Sequence, residues 1–374
     1  MAICAALWVH ARIDIEGTVL PCCRWESQNQ ANLPKIFDGT QAAIESDYFS
    51  SVRERMLAGE EIPECRQCII EEKVGDNVDS YREKLNIQYG HHLLNNPTPK
   101  IRYIELVFNT HCNLACRMCG EHSSSKWKLI NNPKLTVDTS VEATNLNHYD
   151  SDLSELETIK VVGGEPFLAK DHYDFLDKFI TQVDNPENVD IIYHTNGTIF
   201  PNKNIIDYWK QLKKVNIVIS VDAYGQLNEY CRPDSNWETI NENIKKFRNI
   251  KDVDLHLGTH SVITPLNILQ LNELIKWRYS KRIHNGSFDP TIWPEHLAIS
   301  HLVDKEKDKI RTYLDGLRIK YVDTHFESYI DGFDVIEEAL NENPDERYTY
   351  EDIAEKEQKL DKYFHQDFWD YIPR

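Results

Sequence analysis

The stretch IRYIELVFNTHCNLACRMCG (residues 101–120) joins a short apolar run to three cysteines, Cys112, Cys116 and Cys119, spaced CxxxCxxC. The run has the β-branched and aromatic content of a buried strand, and the cysteines begin where that strand must end. Downstream the same unit recurs: TIKVVGG is followed by YDFLDKFITQV, VDIIYHTNG by IIDYWKQLKK, VNIVISVDA by WETINENIKKF, and VDLHLGTHSVI by NILQLNELIKW. Apolar strands alternating with amphipathic helices predict an α/β fold with a parallel sheet, a βα barrel or part of one. Such folds carry their chemistry on loops leaving the C-terminal ends of strands. The cysteine loop, GGEP (Gly163–Pro166), TNG (Thr195–Gly197) and SVDA (Ser220–Ala223) are predicted to leave four successive strand ends and converge on one mouth.

At 374 residues, with 41% hydrophobic and 28% charged residues, the chain is long enough to bury a large core without disulfide staples. Its formal net charge of -19 argues against binding a polyanion such as nucleic acid, because there is no basic excess with which to release counterions. The opening MAICAALWVHARID has neither the basic region of a signal peptide nor the apolar length of a membrane span. The expectation is a cytoplasmic protein with no membrane partner.

Nine cysteines in a reducing compartment call for a reason other than disulfides. Eight of them (Cys4, Cys22, Cys23, Cys65, Cys68, Cys112, Cys116 and Cys119) precede residue 120, while Cys231 stands alone and reads as a small buried residue. Thiolates select soft metals, chiefly iron-sulfur clusters and zinc. Three cysteines in one loop leave one iron of a [4Fe-4S] cube without a protein ligand.

With the GGEP and SVDA motifs in this order and context, residues 100–300 resemble the radical S-adenosylmethionine (SAM) superfamily. The resemblance implies a partial (β/α)6 barrel in which Cys112, Cys116 and Cys119 ligate a [4Fe-4S] cluster and SAM binds the open iron. It implies that Gly163 and Gly164 let backbone approach the methionine end of SAM and that Glu165 sits by its ammonium. Asn196 neighbours the cofactor, and Ser220 and Asp222 contact the ribose hydroxyls. Met118 stands where the family usually has an aromatic residue near the adenine. A reduced cluster in such enzymes cleaves SAM to a 5'-deoxyadenosyl radical, which abstracts hydrogen from a substrate. An electron donor such as flavodoxin or ferredoxin is implied as a partner.

The first 75 residues carry a second resemblance. Cys4, EGTVLPCC and ECRQC are similar to the cysteine pattern of twitch and SPASM modules, which bind auxiliary iron-sulfur clusters. This implies a twitch-like domain over 1–90 with Cys4, Cys22, Cys65 and Cys68 as metal ligands, Cys23 being the alternative to Cys22 and structural zinc the alternative to a [4Fe-4S] cluster. LWVHARIDIEGTVLPCC reads as two strands joined by a turn at Glu16-Gly17, AAIESDYFSSVRERMLAGE as a helix, and HHLLNNPTPK as the linker into the barrel. Residues 301–374 read as a helical extension whose aromatics pack back on the body.

By analogy with those modules the substrate is a peptide or protein side chain. A small molecule is the alternative, and a non-catalytic iron-sulfur electron carrier is the competing class. His194 and His260, near strand ends, read as framework histidines with substrate contact as the alternative.

Overall fold

The computed structural model describes residues 3–26, 32–36, 39–73, 80–94, 97–135, 153–183 and 185–372. Asn95 and Asn96, within the expected linker, lie outside the described residues.

One eight-stranded sheet organises the chain. Its strands are β1 (His10–Ile13), β2 (Val19–Leu20), β3 (Tyr103–Val107), β4 (Thr158–Val162), β5 (Asp190–Thr195), β6 (Lys214–Ser220), β7 (Leu255–Ile263) and β8 (Asn285–Pro290). The spatial order is β2-β1-β3-β4-β5-β6-β7-β8. From β3 onward every neighbour is parallel, as the apolar runs predict, in a register that sets Glu105 beside Lys160 and Ser220 beside His260.

The strands are two-faced. Ile104, Leu106, Ile159, Val161, Ile191, Val215, Ile217 and Ile219 are fully buried, and the flanking helices bury residues of their own at helical spacing. Helix Lys170–Gln182 buries Phe175, Leu176 and Phe179, and helix Trp237–Arg248 buries Ile240, Ile244 and Phe247. These side chains form one continuous hydrophobic core. The alternate strand positions carry Arg12, Glu105, Lys160, His194, His260 and Asp289, so the inner wall of the sheet is polar. Arg24, just beyond β2, is ion-paired to Glu71 and reaches Asp289 in β8 at 3.7 Å. The two ends of the sheet therefore curl toward each other, giving an open barrel bridged by a side chain.

The beginning of the chain departs from the expected organisation. The Glu16-Gly17 turn forms as read: Gly17 has φ +71° and the Asp14 carboxylate accepts from the backbone N–H of Glu16 and Thr18. The first strand of this hairpin, however, pairs in parallel with β3, from His10 beside Tyr103 to Ile13 beside Leu106. β1 and β2, within the expected twitch-like domain, thus extend the barrel sheet. Burial explains the pairing: Ala11 and Ile13 are fully buried and continue the core outward from β3.

After β8 the chain is helical. Helix Ile330–Asn341 buries Phe333, Ile336 and Leu340, and helix Tyr350–Phe364 begins with a capping box in which Thr349 and Asp352 satisfy each other's backbone N–H groups. Among the described residues no helix is long and apolar enough to cross a membrane.

Candidate cluster and cofactor site

The cysteine loop leaves the C-terminal end of β3 and is held by hydrogen bonds from the segment that follows it. Ser124 Oγ donates to the Leu114 carbonyl (2.7 Å), Ser125 N to the Thr110 carbonyl (2.8 Å), and Trp127 Nε1 to the Cys116 carbonyl (2.9 Å). Burial pushes the thiols of Cys112 and Cys119 up to about 12 and raises that of Cys116, and each cysteine's neighbours in the loop add to the effect on Cys112 and Cys119. Thiols so placed keep their protons unless a cation takes the protons' place. Opposing the rise at Cys116 is Arg232, whose Nη1 lies 3.5 Å from Cys116 Sγ.

GGEP meets this loop through backbone. Gly163 has φ +122°, and a Cβ on Gly164 would fall 2.2 Å from the His111 carbonyl oxygen. The two glycines therefore allow the close passage of the β4 loop beneath the cysteine loop. Gly164 N–H donates to the Asn109 carbonyl at 3.0 Å and Glu165 N–H to that of His111 at 2.7 Å.

The Glu165 side chain is buried and accepts from Thr195 Oγ1 (2.7 Å), Asn196 N (2.8 Å) and Phe167 N (3.3 Å). Burial nevertheless raises its carboxyl to about 7, outweighing those hydrogen bonds. Asn196 links the β5 loop to the cysteine loop, its Nδ2 donating to Asn113 Oδ1 (2.9 Å) and approaching Cys112 Sγ (3.9 Å). Met118 packs half-buried against the main core, and Ser220 lies half-exposed at the end of β6.

Asp222, expected to contact the ribose, lies two residues beyond β6. It is fully buried, ion-paired to Arg232 (Oδ2 to Nε, 2.6 Å), and its Oδ1 accepts from Arg232 Nη2 (3.0 Å) and Val262 N (2.9 Å). Both oxygens are taken, so the carboxylate holds the guanidinium that faces Cys116. Arg232 itself gave no signal in EYCRP, because an arginine outside any motif reads as surface. Beside it Cys231 is buried, as a small core residue should be.

A second missed residue lies inside the motif. Arg117 is 2% exposed and donates from Nη1 to Glu357 (2.6 Å), from Nη2 to Asp361 (2.7 Å) and Gln366 (2.8 Å), and from Nε to the Tyr230 carbonyl (2.8 Å). Its guanidinium also lies over the Tyr230 ring at 3.7 Å. The C-terminal extension therefore buttresses the cysteine loop.

The N-terminal cysteines separate into two environments. Burial chiefly raises the thiols of Cys4 (to about 12), Cys22, Cys65 (to about 11) and Cys68, with Cys65 and Cys68 adding to the rise at Cys4, Cys68 to that at Cys65, and Cys23, Cys4 and Cys68 to that at Cys22. Cys23 instead faces the barrel wall, 4.0 Å from Lys160 Nζ and within the influence of Glu105 and Arg12. Lys160 in turn pairs with Glu105 at 2.9 Å, and Arg12 with Glu105 at 2.7 Å. Among the described residues no three His, Cys, Asp or Glu side chains converge tightly enough to grip a single metal ion.

Of the framework histidines, His260 Nε2 bonds to Asp289 Oδ2 at 2.5 Å, and its ring lies 5.8 Å from that of His194. Both stand on the polar wall.

Residues 106–277 match the family model of the Radical SAM superfamily, and the chain carries a radical SAM domain over that span. No curated protein sequence matches the chain. Among solved structures it is similar to anSMEcpe with bound AdoMet (17% identity, 59% of this chain and 60% of that chain, TM-score 0.39). It is also similar to Streptococcus suis SuiB bound to S-adenosylmethionine (12% identity, 83% of this chain and 67% of that chain, TM-score 0.38). A third is the same SuiB bound to precursor peptide SuiA (12% identity, 84% and 69%, TM-score 0.39). The chain spans 60% of the length of the anSMEcpe chain.

Proposed function

We propose that the protein is a radical SAM enzyme that cleaves SAM reductively and abstracts hydrogen from a peptide or protein side chain. The observation that carries this is the presence of three thiols, Cys116 buried and Cys112 and Cys119 partly buried, in one loop on a radical SAM domain. They supply sulfur alone, and Arg232 offers a fixed positive charge to offset their ionisation, so the donor set fits an iron-sulfur cluster with one iron left for SAM. When bound, the reduced cluster supplies one electron to the SAM sulfonium and so the deoxyadenosyl radical that takes the hydrogen atom.

The chain's own residues do the rest. Gly163 and Gly164 hold the β4 loop against the cysteine loop, Glu165 offers a carboxylate for the SAM ammonium, Asn196 orients beside Cys112, and Ser220 presents a hydroxyl for the ribose. The polar wall of His194, His260, Lys160 and Glu105 faces the substrate. Cys4, Cys22, Cys65 and Cys68 hold an auxiliary cluster, and Cys23 belongs to the substrate chamber. The peptide reading is supported by the resemblance of the early cysteine pattern to twitch and SPASM modules and by the net charge of -19, which suits a basic partner.

The test is anaerobic reconstitution followed by iron and sulfide analysis, then incubation with SAM and dithionite while 5'-deoxyadenosine is quantified. About eight irons per chain with deoxyadenosine formation is the expected result for two [4Fe-4S] clusters. Bound clusters and SAM without deoxyadenosine under any strong donor would instead favour an electron carrier.

A further inference from the structure

A cleft of about 290 Å³ opens where helix Arg66–Lys73, the end of β8 and helix Ile330–Asn341 meet. Its floor is apolar, supplied by Ile70, Val262, Pro290, Val335 and Ala339. Five carboxylate residues line it, Glu26, Glu71, Asp289, Glu338 and Glu342, against the single arginine Arg66. Arg66 is drawn to Glu342 at 3.6 Å, and Glu71 and Asp289 share Arg24, but among the described residues neither Glu26 nor Glu338 has a basic partner. The cleft therefore keeps an uncompensated negative charge around an apolar floor.

Its position ties it to the cysteine loop along two paths. Val262, in the floor, donates its N–H to Asp222, which holds Arg232 against Cys116. On the other side Thr291 and Ile292 line the cleft, and Trp293 next to them covers the loop: a Cβ on Gly120 would fall 2.7 Å from its Cη2, and its ring lies 5.3 Å from that of His122. Ile292 and Trp293 are 66% and 49% exposed. Two large apolar side chains left in water between an acid-lined cleft and the cluster loop are a surface awaiting a partner.

Resting on the peptide reading above, we propose that this cleft is the substrate's docking site and that it selects a segment presenting a cationic side chain on an apolar stem. Charge complementarity identifies the occupant: the floor takes the methylenes of a lysine or arginine, and the carboxylates take its head. The volume holds one long side chain, so the segment docks by one such residue while its neighbours lie along Ile292 and Trp293.

Isothermal titration of the reconstituted protein with acetyl-Gly-Leu-Lys-Leu-Gly-amide, and with the same peptide carrying norleucine or glutamate in place of lysine, tests this. The lysine peptide should bind at least about tenfold more tightly than either companion, with the advantage shrinking as salt is raised. Glu338→Lys should erase the preference for lysine while leaving the norleucine peptide's affinity unchanged, and Ala339→Trp, which fills the floor, should abolish binding of all three. Equal binding of the glutamate peptide, a preference that survives Glu338→Lys, or no binding of the lysine peptide overturns the proposal. Deoxyadenosine formation by the unmutated protein, measured on the same preparation, reports on the radical chemistry separately; its failure would leave the peptide preference to stand or fall alone.

Discussion

Arg117 Nη1 and Glu357 Oε2 stand 2.6 Å apart across 240 residues of sequence, and this buried pair fastens the cysteine loop to the C-terminal helix. Removing one partner strands the other charge out of water. Arg117→Ala leaves Glu357 and Asp361 facing each other and should destabilise the protein by about 3–5 kcal/mol by denaturant unfolding. Iron bound after reconstitution should fall with it. Arg117→Lys, which keeps the charge and loses the fork, should recover part of the stability. Wild-type stability in the alanine variant would mean that the helix is not holding the loop.

Cys116→Ala should abolish deoxyadenosine formation without unfolding the barrel, because the side chain it removes contributes little to the core. Far-ultraviolet circular dichroism checks the fold and chromatography the product. Persistent cleavage with a working reductant would remove Cys116 from the ligand set.

Cys22 and Cys23 should behave differently despite being adjacent. Cys22→Ser should reduce the iron of the auxiliary site, whereas Cys23→Ser should leave the iron count at about eight per chain, the content of two cubes. The reverse result would transfer the ligand role to Cys23.

Gly164→Ala should displace the cysteine loop, because the added methyl would meet the His111 carbonyl at 2.2 Å and backbone gives way only at the expense of the whole turn. Lower iron content with unchanged sheet signal is the expected outcome.

Glu165 supplies a pH dependence with a definite sign. Its carboxyl titrates at about 7, raised by burial, so below that pH the free protein holds it neutral and a cation must displace a proton to bind. Apparent SAM affinity should therefore rise with pH, by up to about tenfold per unit below neutrality, and level off above it. Glu165→Gln should flatten the slope in equilibrium binding. A slope unchanged in that variant would place the titrating group elsewhere.

What could be read from the sequence was what is local. Each strand from β3 to β7 announced itself as an apolar run, whereas β8, NGSFDP, has no such run and was not readable; the cysteine loop fell at a strand end because βα units put loops there. The hairpin turn at Glu16-Gly17 was readable for the same reason, since a positive φ and an Asp side chain three residues back are local needs. Pairings across long separations were not readable. Nothing in HARI states that it lies beside YIELV, and nothing in CRMC states that its arginine meets a helix near the chain's end. Asp222 shows the third kind of gap: a carboxylate in a cofactor-like motif and one buried on an arginine look alike until the arginine's position is known.

The placement of β1 carries a consequence for how the molecule comes together. Its parallel partner β3 begins 93 residues after β1 does, at Tyr103 against His10, so as the chain emerges during synthesis the first strand has only its hairpin partner β2 to join until the cysteine motif is about to appear. When β3 arrives it closes both regions in one event. The cysteine loop after β3 and the cysteines flanking β1 therefore rest on one sheet that is complete only once these two strands have paired.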